Sequence, residues 1–362
     1  MNHHRHLPDA PLLKLMAYYK QQESAPSPQE LEEGWRHVRK RVERRERRKL
    51  YVAATATVAA AATLAGLAWF ALPTDTPLPL DKQQASMQWK ADMDTLSDIR
   101  VVVAPGQSIR VDSGATVSYS STGNIAVNRQ VVDQTKTSTR RQPTATSTEA
   151  GEYNQIIVPR GKTSTLLLAD GTSMHINAGT RVAYPRTFGT DKRKIHVDGE
   201  VYLDIAHREH QPFVVQTAKF DIEVLGTAFN VDAYSDNSQA TVVLLRGQVK
   251  ILDSNRQEAL MKPNELLAVN EGQIAEKKEV NAEEYIAWTR SLIFLHGEPL
   301  EEVCRKLYRY YGVPVETDAS CAHIPIHGKL DISIPLKEIL RRISVATSLN
   351  VQERGDTIRL QR

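Results

Sequence analysis

The stretch "VLGTAFNV", Val224–Val231, holds a Gly226–Thr227 bond inside what reads as an apolar strand. A Thr hydroxyl aimed at the preceding carbonyl could carry an N-to-O acyl shift and break the chain without an outside nucleophile. That reaction needs a strained turn and a base to take the proton. No base is identifiable from the sequence. The plainer reading is a bent strand, because Gly in a strand marks a bulge or a close backbone approach.

Other candidates weaken on inspection. His207 and His210 in "HREH" have the spacing of metal ligands on a helix, but they fall in a turn between strands and read as exposed loop residues. "RGKTST", Arg160–Thr165, resembles the end of a phosphate loop. Such a loop needs Gly five residues before Gly161, where Ile156 stands. Asp170-Gly171 and Asp198-Gly199 read as hairpin corners rather than paired catalytic carboxylates. The three His of "MNHHRH" have nothing nearby to complete a coordination shell. No cofactor, metal or enzymatic activity is expected.

The elements that would position these residues begin with an uneven charge. Residues 1–49 carry twelve Lys or Arg against seven Asp or Glu, whereas residues 73–362 carry thirty-four against thirty-six. Between them lies "LYVAATATVAAAATLAGLAWFAL", Leu50–Leu72, twenty-three residues without a charge. At ~1.5 Å per residue it can cross a bilayer core of ~30 Å. Nine Arg or Lys in "RHVRKRVERRERRK", Arg36–Lys49, immediately precede it. Such a cluster marks the cytoplasmic side, so the N-terminus is expected inside and residues 73–362 across the membrane. Ten of the twenty-three are Ala, which suits helix packing or ready unwinding for an intramembrane protease.

Before the span, "SPQE" at Ser27–Glu30 has the form of a capping box with Pro in the first turn. Leu31, Trp35, Val38 and Val42 follow at helical spacing. The arm, 1–49, is either a solvated juxtamembrane segment drawn to anionic lipid or a partner-binding arm that folds on its target.

Beyond the Pro-rich "PTDTPLPL" (Pro73–Leu80) the pattern turns to strands. "VVVAPGQSIRVDSGATVSY" (Val101–Tyr119) and "LLLADGTSMHINAGTRVAY" (Leu166–Tyr184) align without gaps, with six of nineteen positions identical. Gln134–Glu152, rich in Ser and Thr, reads as a mobile linker between them. Further strands are expected at Lys194–Ala206, Pro212–Thr217, Phe220–Tyr234, Ala240–Leu252 and Glu265–Lys277. Short strands at near-regular spacing imply a β-solenoid, roll or sandwich, its winding undecided. A second duplication, Glu298–Glu316 and Ile334–Glu353, reads as two β-α-β halves. Pro opens each helix, with Leu300, Val303, Leu307 and Leu336, Ile339, Leu340, Ile343 as the buried stripes. Cys304 and Cys321, the two cysteines, would face an oxidising compartment, where a disulfide is permitted; Cys304 facing the core is the alternative.

"VPRGKTSTLLLADGTSMHINAGTRVAYPRTF", "GEVYLDIAHREHQPFVV", "VLGTAFNV" and "TVVLLRGQVKI" together resemble the FecR family of inner-membrane anti-sigma regulators, in its Bacteroidetes-type form. The resemblance covers about residues 150–280. It continues through "PLEEVCRKLYRYYGV" and "IHGKLDISIPLKEILRRI", which look like a secretin/TonB short N-terminal-type module. "AWTRSLIF" departs from the pattern in lacking a Gly after the Trp.

The resemblance implies a plan: a cytoplasmic anti-sigma arm (1–49), a transmembrane helix (50–72), a periplasmic linker and first β repeat (73–153), a FecR-like β domain (154–280) and an α+β module (285–362). It also implies partners: an extracytoplasmic-function sigma factor held by the arm through Leu31, Trp35 and Val38, the signalling domain of a TonB-dependent outer-membrane receptor at the C-terminal module, and membrane proteases. Some members are thought to self-cleave at a step such as Gly226–Thr227. The rival function is a membrane-anchored periplasmic module that binds glycan or peptidoglycan, which would need exposed aromatics on one sheet face. Aromatics are only 6% of the chain, which ranks that reading second.

Overall fold

The computed structural model describes residues 96–104, 107–120, 124–131 and 153–362. The arm, the Leu50–Leu72 span and most of the Ser/Thr-rich linker lie outside the described residues. Among the described residues no helix is long and apolar enough to cross a membrane.

The described residues are mostly β. Strands β1 (Ile99–Ala104), β2 (Gln107–Val111), β3 (Thr116–Tyr119), β4 (Ile125–Val127) and β5 (Gln130–Val131) hold the first repeat. The second lies in β6 (Tyr153–Val158), β7 (Ser164–Leu167), β8 (Ser173–Ile176) and β9 (Thr180–Pro185). Then come β10 (Arg193–Asp204), β11 (Phe213–Gln216), β12 (Phe220–Val224), β13 (Ala228–Ala233) and β14 (Gln239–Arg246). The β domain closes with β15 (Val249–Asp253), β16 (Glu258–Met261), β17 (Glu265–Asn270) and β18 (Gln273–Glu279).

All eighteen belong to one sheet, curled so that two ladders face each other across a common apolar core. The first ladder runs β2-β1-β6-β9-β10-β11-β12-β15-β16. The second runs β5-β4-β3-β7-β8-β10-β13-β14-β17-β18.

Strand β10 belongs to both. Its first half pairs with β9 and β11, and its second half, from Gly199, pairs with β8 and β13. Inward and outward residues alternate through all twelve positions, so one face stays on the core while the strand turns the corner. The corner is Gly199, at φ +132°, where a Cβ would lie 2.3 Å from Thr180 Oγ1. Only Gly fits there. Asp198-Gly199 is therefore a ladder crossing inside a strand and not the hairpin corner expected of it. Likewise Phe220–Tyr234 is two strands rather than one. The chain leaves the first ladder after β12 and joins the second at β13, bending at Leu225–Thr227.

The sequence repeat has a topological meaning. Hairpin β1–β2 pairs Ile99 with Val111, and β7–β8 pairs Ser164 with Ile176, the same register sixty-five residues on. The first hairpin lies in the first ladder with its third strand, β3, in the second; the next copy reverses this. Tyr119 and Tyr184, equivalent in the two copies, share a 3.0 Å hydroxyl contact with their rings edge to face.

Beyond the sheet, α1 (Ala282–Tyr285) packs in a small apolar cluster with Val243, Leu266 and Ala268 of the second ladder. A 3-10 turn (Ala287–Arg290) leads into β19 (Leu292–Pro299). The C-terminal module then runs α2 (Leu300–Tyr311), β20 (Val315–Thr317), β21 (Pro325–Asp331), α3 (Leu336–Thr347), β22 (Asn350–Arg354) and β23 (Thr357–Gln361). β19 pairs with β21, and β20-β23-β22 form a second small sheet. Pro299 and Pro335 precede their helices with nearly the same extended backbone, and left-handed Gly312 and Ser348 end them. All seven residues expected to form the helix stripes are buried in the module's own core.

Candidate functional site

Two places gather the residues singled out above. The first is the Gly226–Thr227 bend. A Cβ on Gly226 would lie 2.5 Å from His207 Cα, so close backbone approach explains the glycine. Thr227 is 1% exposed, and its hydroxyl donates to Gln248 O at 2.9 Å. Backbone bonds pin the bend on both sides: Ile205 N donates to Thr227 O, and Arg208 N donates to Leu225 O.

The strongest tie is a residue that reading the sequence missed. Arg193 is fully buried. Its guanidinium donates to Asp170 Oδ2 (2.8 Å), Ala206 O (2.8 Å), Gln211 O (3.0 Å) and Leu225 O (3.1 Å), and lies 5.2 Å from the Phe213 ring centre. Burial pulls its pKa below the ordinary value, while the hydrogen bond and charge of Asp170 oppose the fall. One signal was available: Arg193 has the inward parity of Ile195 and Val197. Asp170 also caps Thr172 in the β7–β8 turn, so Asp170-Gly171 is a hairpin corner as expected.

This arrangement holds a bend and does little for an acyl shift. The Thr227 proton is given to a carbonyl, which cannot act as a base. His207 stands beside the bend, its Nδ1 2.6 Å from where a Cβ on Gly226 would lie, and is exposed like His210 in the β10–β11 loop. The Thr227 hydroxyl, however, bonds Gln248 O and not this imidazole. The full-length protein is expected to run intact on a denaturing gel, with Thr227→Ala unchanged. A pair of fragments that Thr227→Ala abolishes would overturn this.

The second place is the junction between the β domain and the C-terminal module. Glu200 on β10 and Asp232 on β13 are directly opposed across the ladder, an unfavourable like-charge pair. Glu200 accepts from Asn177 Nδ2 (2.7 Å) and Asn230 Nδ2 (3.0 Å), while Asn230 Oδ1 accepts from Trp288 Nε1 (3.1 Å). Facing them from α2 are Lys306 and Arg309. Burial, then the charge of Asp232, raises the Glu200 carboxyl to about 7; the two Asn and Lys306 oppose the rise. Asp232 is raised by burial, against Lys306 and Arg309. Burial alone would lower Lys306, but Glu298, Asp232 and Glu200 more than reverse it. These groups line a cavity of about 850 Å³ together with Trp288 and Glu302.

A pH dependence follows. The folded state holds the Glu200 proton more tightly than the unfolded chain does. Its share of stability is complete below the ordinary carboxylate range and is lost as pH rises through 7. Between pH 5 and 8 the protein should lose on the order of 2 kcal/mol from this group. In Glu200→Gln the slope should flatten, whatever constant offset the lost hydrogen bond adds. Urea denaturation at several pH values measures it, and an equal slope in the variant would refute the assignment.

Arg309 anchors the junction. It donates to Asp236 Oδ1 (2.6 Å) and Asn237 Oδ1 (2.8 Å) and stacks 3.8 Å above the Tyr234 ring, whose hydroxyl donates to Ala178 O. The "RGK" segment meets the end of the same helix. Gly161 N donates to Arg309 O at 2.8 Å, and Arg160 lies over the Tyr308 ring at 4.5 Å. The segment that imitated a phosphate loop thus receives a helix C-terminus, whose carbonyls favour a donor and a cation.

Cys304 and Cys321 are both buried free thiols in the module core, so the permitted disulfide is not formed. Burial pushes the Cys304 thiol up to about 12, and a thiol so shifted is unreactive. Leu31, Trp35 and Val38 lie outside the described residues.

Residues 154–250 match the model of the FecR protein family, and residues 292–360 match that of the FecR C-terminal domain. A 1.65 Å crystal structure of a protein assigned as an anti-sigma factor from Parabacteroides distasonis is 31% identical. That match covers 57% of the present chain and 97% of the other, at a TM-score of 0.54. A second, at 2.50 Å from the same organism, is 30% identical over 58% and 99%, at 0.55. The chain belongs to the FecR family of anti-sigma regulators. Among curated proteins none matches it. For a FecR-family regulator the two sites have a natural division of labour: the Arg193 cluster shapes the β domain, and the α2 junction joins that domain to the module that follows.

Proposed function

We propose that this FecR-family protein is a single-pass inner-membrane anti-sigma factor. It relays the state of a TonB-dependent outer-membrane receptor to an extracytoplasmic-function sigma factor. The observation that carries the reading is the order of parts: a basic arm with one apolar stripe, an uncharged span, then FecR and FecR C-terminal domains in series. A chain so ordered can hold a partner on each side of a membrane. The arm, 1–49, folds on the sigma factor through Leu31, Trp35 and Val38, and the module, 285–362, takes the receptor's signalling domain by strand addition at a sheet edge. Membrane proteases remove the span once the signal arrives.

The test uses the full-length protein in its own membrane. The sigma factor should co-purify with it, and photo-crosslinkers placed in residues 285–362 should capture the receptor under inducing conditions. Failure of the sigma factor to co-purify, or no receptor contact anywhere in 285–362, would sink the corresponding half of the relay.

A further inference from the structure

The buried apolar residues of the β domain and of the C-terminal module form separate clusters. Polar contacts join the two. On the module side most come from one end of one helix: Lys306, Tyr308, Arg309 and the Arg309 carbonyl, all in the last two turns of α2. A smaller set lies beside the connection, where His296 on β19 sits 3.2 Å from Glu284 Oε2 and stacks on the Tyr285 ring of α1, and this set must part as well when the module moves. On the β-domain side the partners of α2 come from four separate segments. The turn after β6 supplies Arg160 and Gly161 and the loop after β13 supplies Asp236 and Asn237, while Glu200 on β10 and Asp232 on β13 act on Lys306 through their charge. Lys219 braces that loop from behind, donating to the carbonyls of Tyr234 and Asn237.

Two features set this apart from a fused core. Polar bonds exchange for water at small net cost, so an interface built from them opens far more readily than one built on buried hydrocarbon. The connection also has a pivot. Residues 282–288 stay with the β domain through the α1 cluster and the Trp288–Asn230 bond. Ser291, just before β19, takes a left-handed backbone (φ 58°) that a non-Gly residue adopts rarely.

We propose that the C-terminal end of α2 is a releasable latch: it holds the module on the β domain, and the module swings away as a folded unit about Ser291 when the latch opens. The Glu200–Asp232 pair is the socket. These two opposed acidic groups face Lys306 and Arg309, whose positive charge opposes the burial and mutual repulsion of the pair. The latch rests on the geometry of the junction and stands whether or not the receptor relay is correct.

Hydrogen exchange on the full-length protein tests it. Arg309→Gln should speed exchange at Gly161 and in the last turn of α2 by about tenfold or more, with α3 amides keeping their protection. Asp236→Asn, which alters only the β-domain loop, should loosen the same amides to a smaller degree. Unchanged protection of Gly161 in both variants would overturn the latch. Should Arg309→Gln strip protection from α3 as well, the module has unfolded rather than swung. Asp236→Asn then decides: loosening confined to Gly161 and α2 supports the latch, and none refutes it.

Discussion

Arg193→Leu is expected to cost about 3–5 kcal/mol of β-domain stability, because it strands the buried Asp170 carboxylate and removes the donor shared by three carbonyls. For a domain of this size that is a fall in Tm of roughly 6–20 °C. The effect is large because the guanidinium is fully buried and each of its bonds goes to a different segment: the β7–β8 turn, both ends of the β10–β11 loop, and the bend before Gly226. Asp170→Asn should cost less, since the amide still accepts from Arg193. Removing both charges, in Arg193→Leu with Asp170→Leu, should recover part of the loss, as breaking a buried pair costs more than replacing it. Thermal denaturation of the three variants measures this. Arg193→Leu within 1 kcal/mol of wild type would show that the cluster is not what holds the bend.

Trp35→Ala is expected to weaken sigma-factor binding by about 2–4 kcal/mol, some 30- to 1,000-fold. The argument is one of area and position. From Ser27 the helical spacing sets Leu31, Trp35, Val38 and Val42 on one stripe of an otherwise charged segment. Trp35 is the largest and central of these, and an aromatic anchor that loses water on binding contributes more than its aliphatic neighbours. Leu31→Ala and Val38→Ala should each cost about 1–2 kcal/mol. Titration of the detergent-solubilised protein with its sigma factor reads the difference. Binding by Trp35→Ala within threefold of wild type would remove this stripe from the interface.

Much of the fold was legible because its signals are local or periodic. The twelve-residue alternation of β10 needs only a strand with one face on a core. The helix stripes of α2 and α3, and the Pro before each, follow from 3.6-residue periodicity and backbone sterics. The β-domain repeat was visible as six identities in nineteen, but not that its two copies sit in opposite ladders and meet at Tyr119 and Tyr184.

The misreadings share one cause. Asp198-Gly199 resembles a hairpin turn and Phe220–Tyr234 a single strand, because a short window carries no information about what packs against it. Gly199 was required by Thr180, Gly226 by His207, and Gly161 meets a helix end almost 150 residues downstream. Arg193 was overlooked because an Arg in a strand is usually outward-facing; only the alternation hinted otherwise.

Element types, the duplications and the apolar faces can be read from the residues alone, since those depend on each residue and its near neighbours. Tertiary structure alone decided which ladder each strand joins, where the chain crosses between them, and that Glu200 and Asp232 lie under Lys306 and Arg309. Those placements depend on how the sheet curls, and curl is a property of many strands pairing at once.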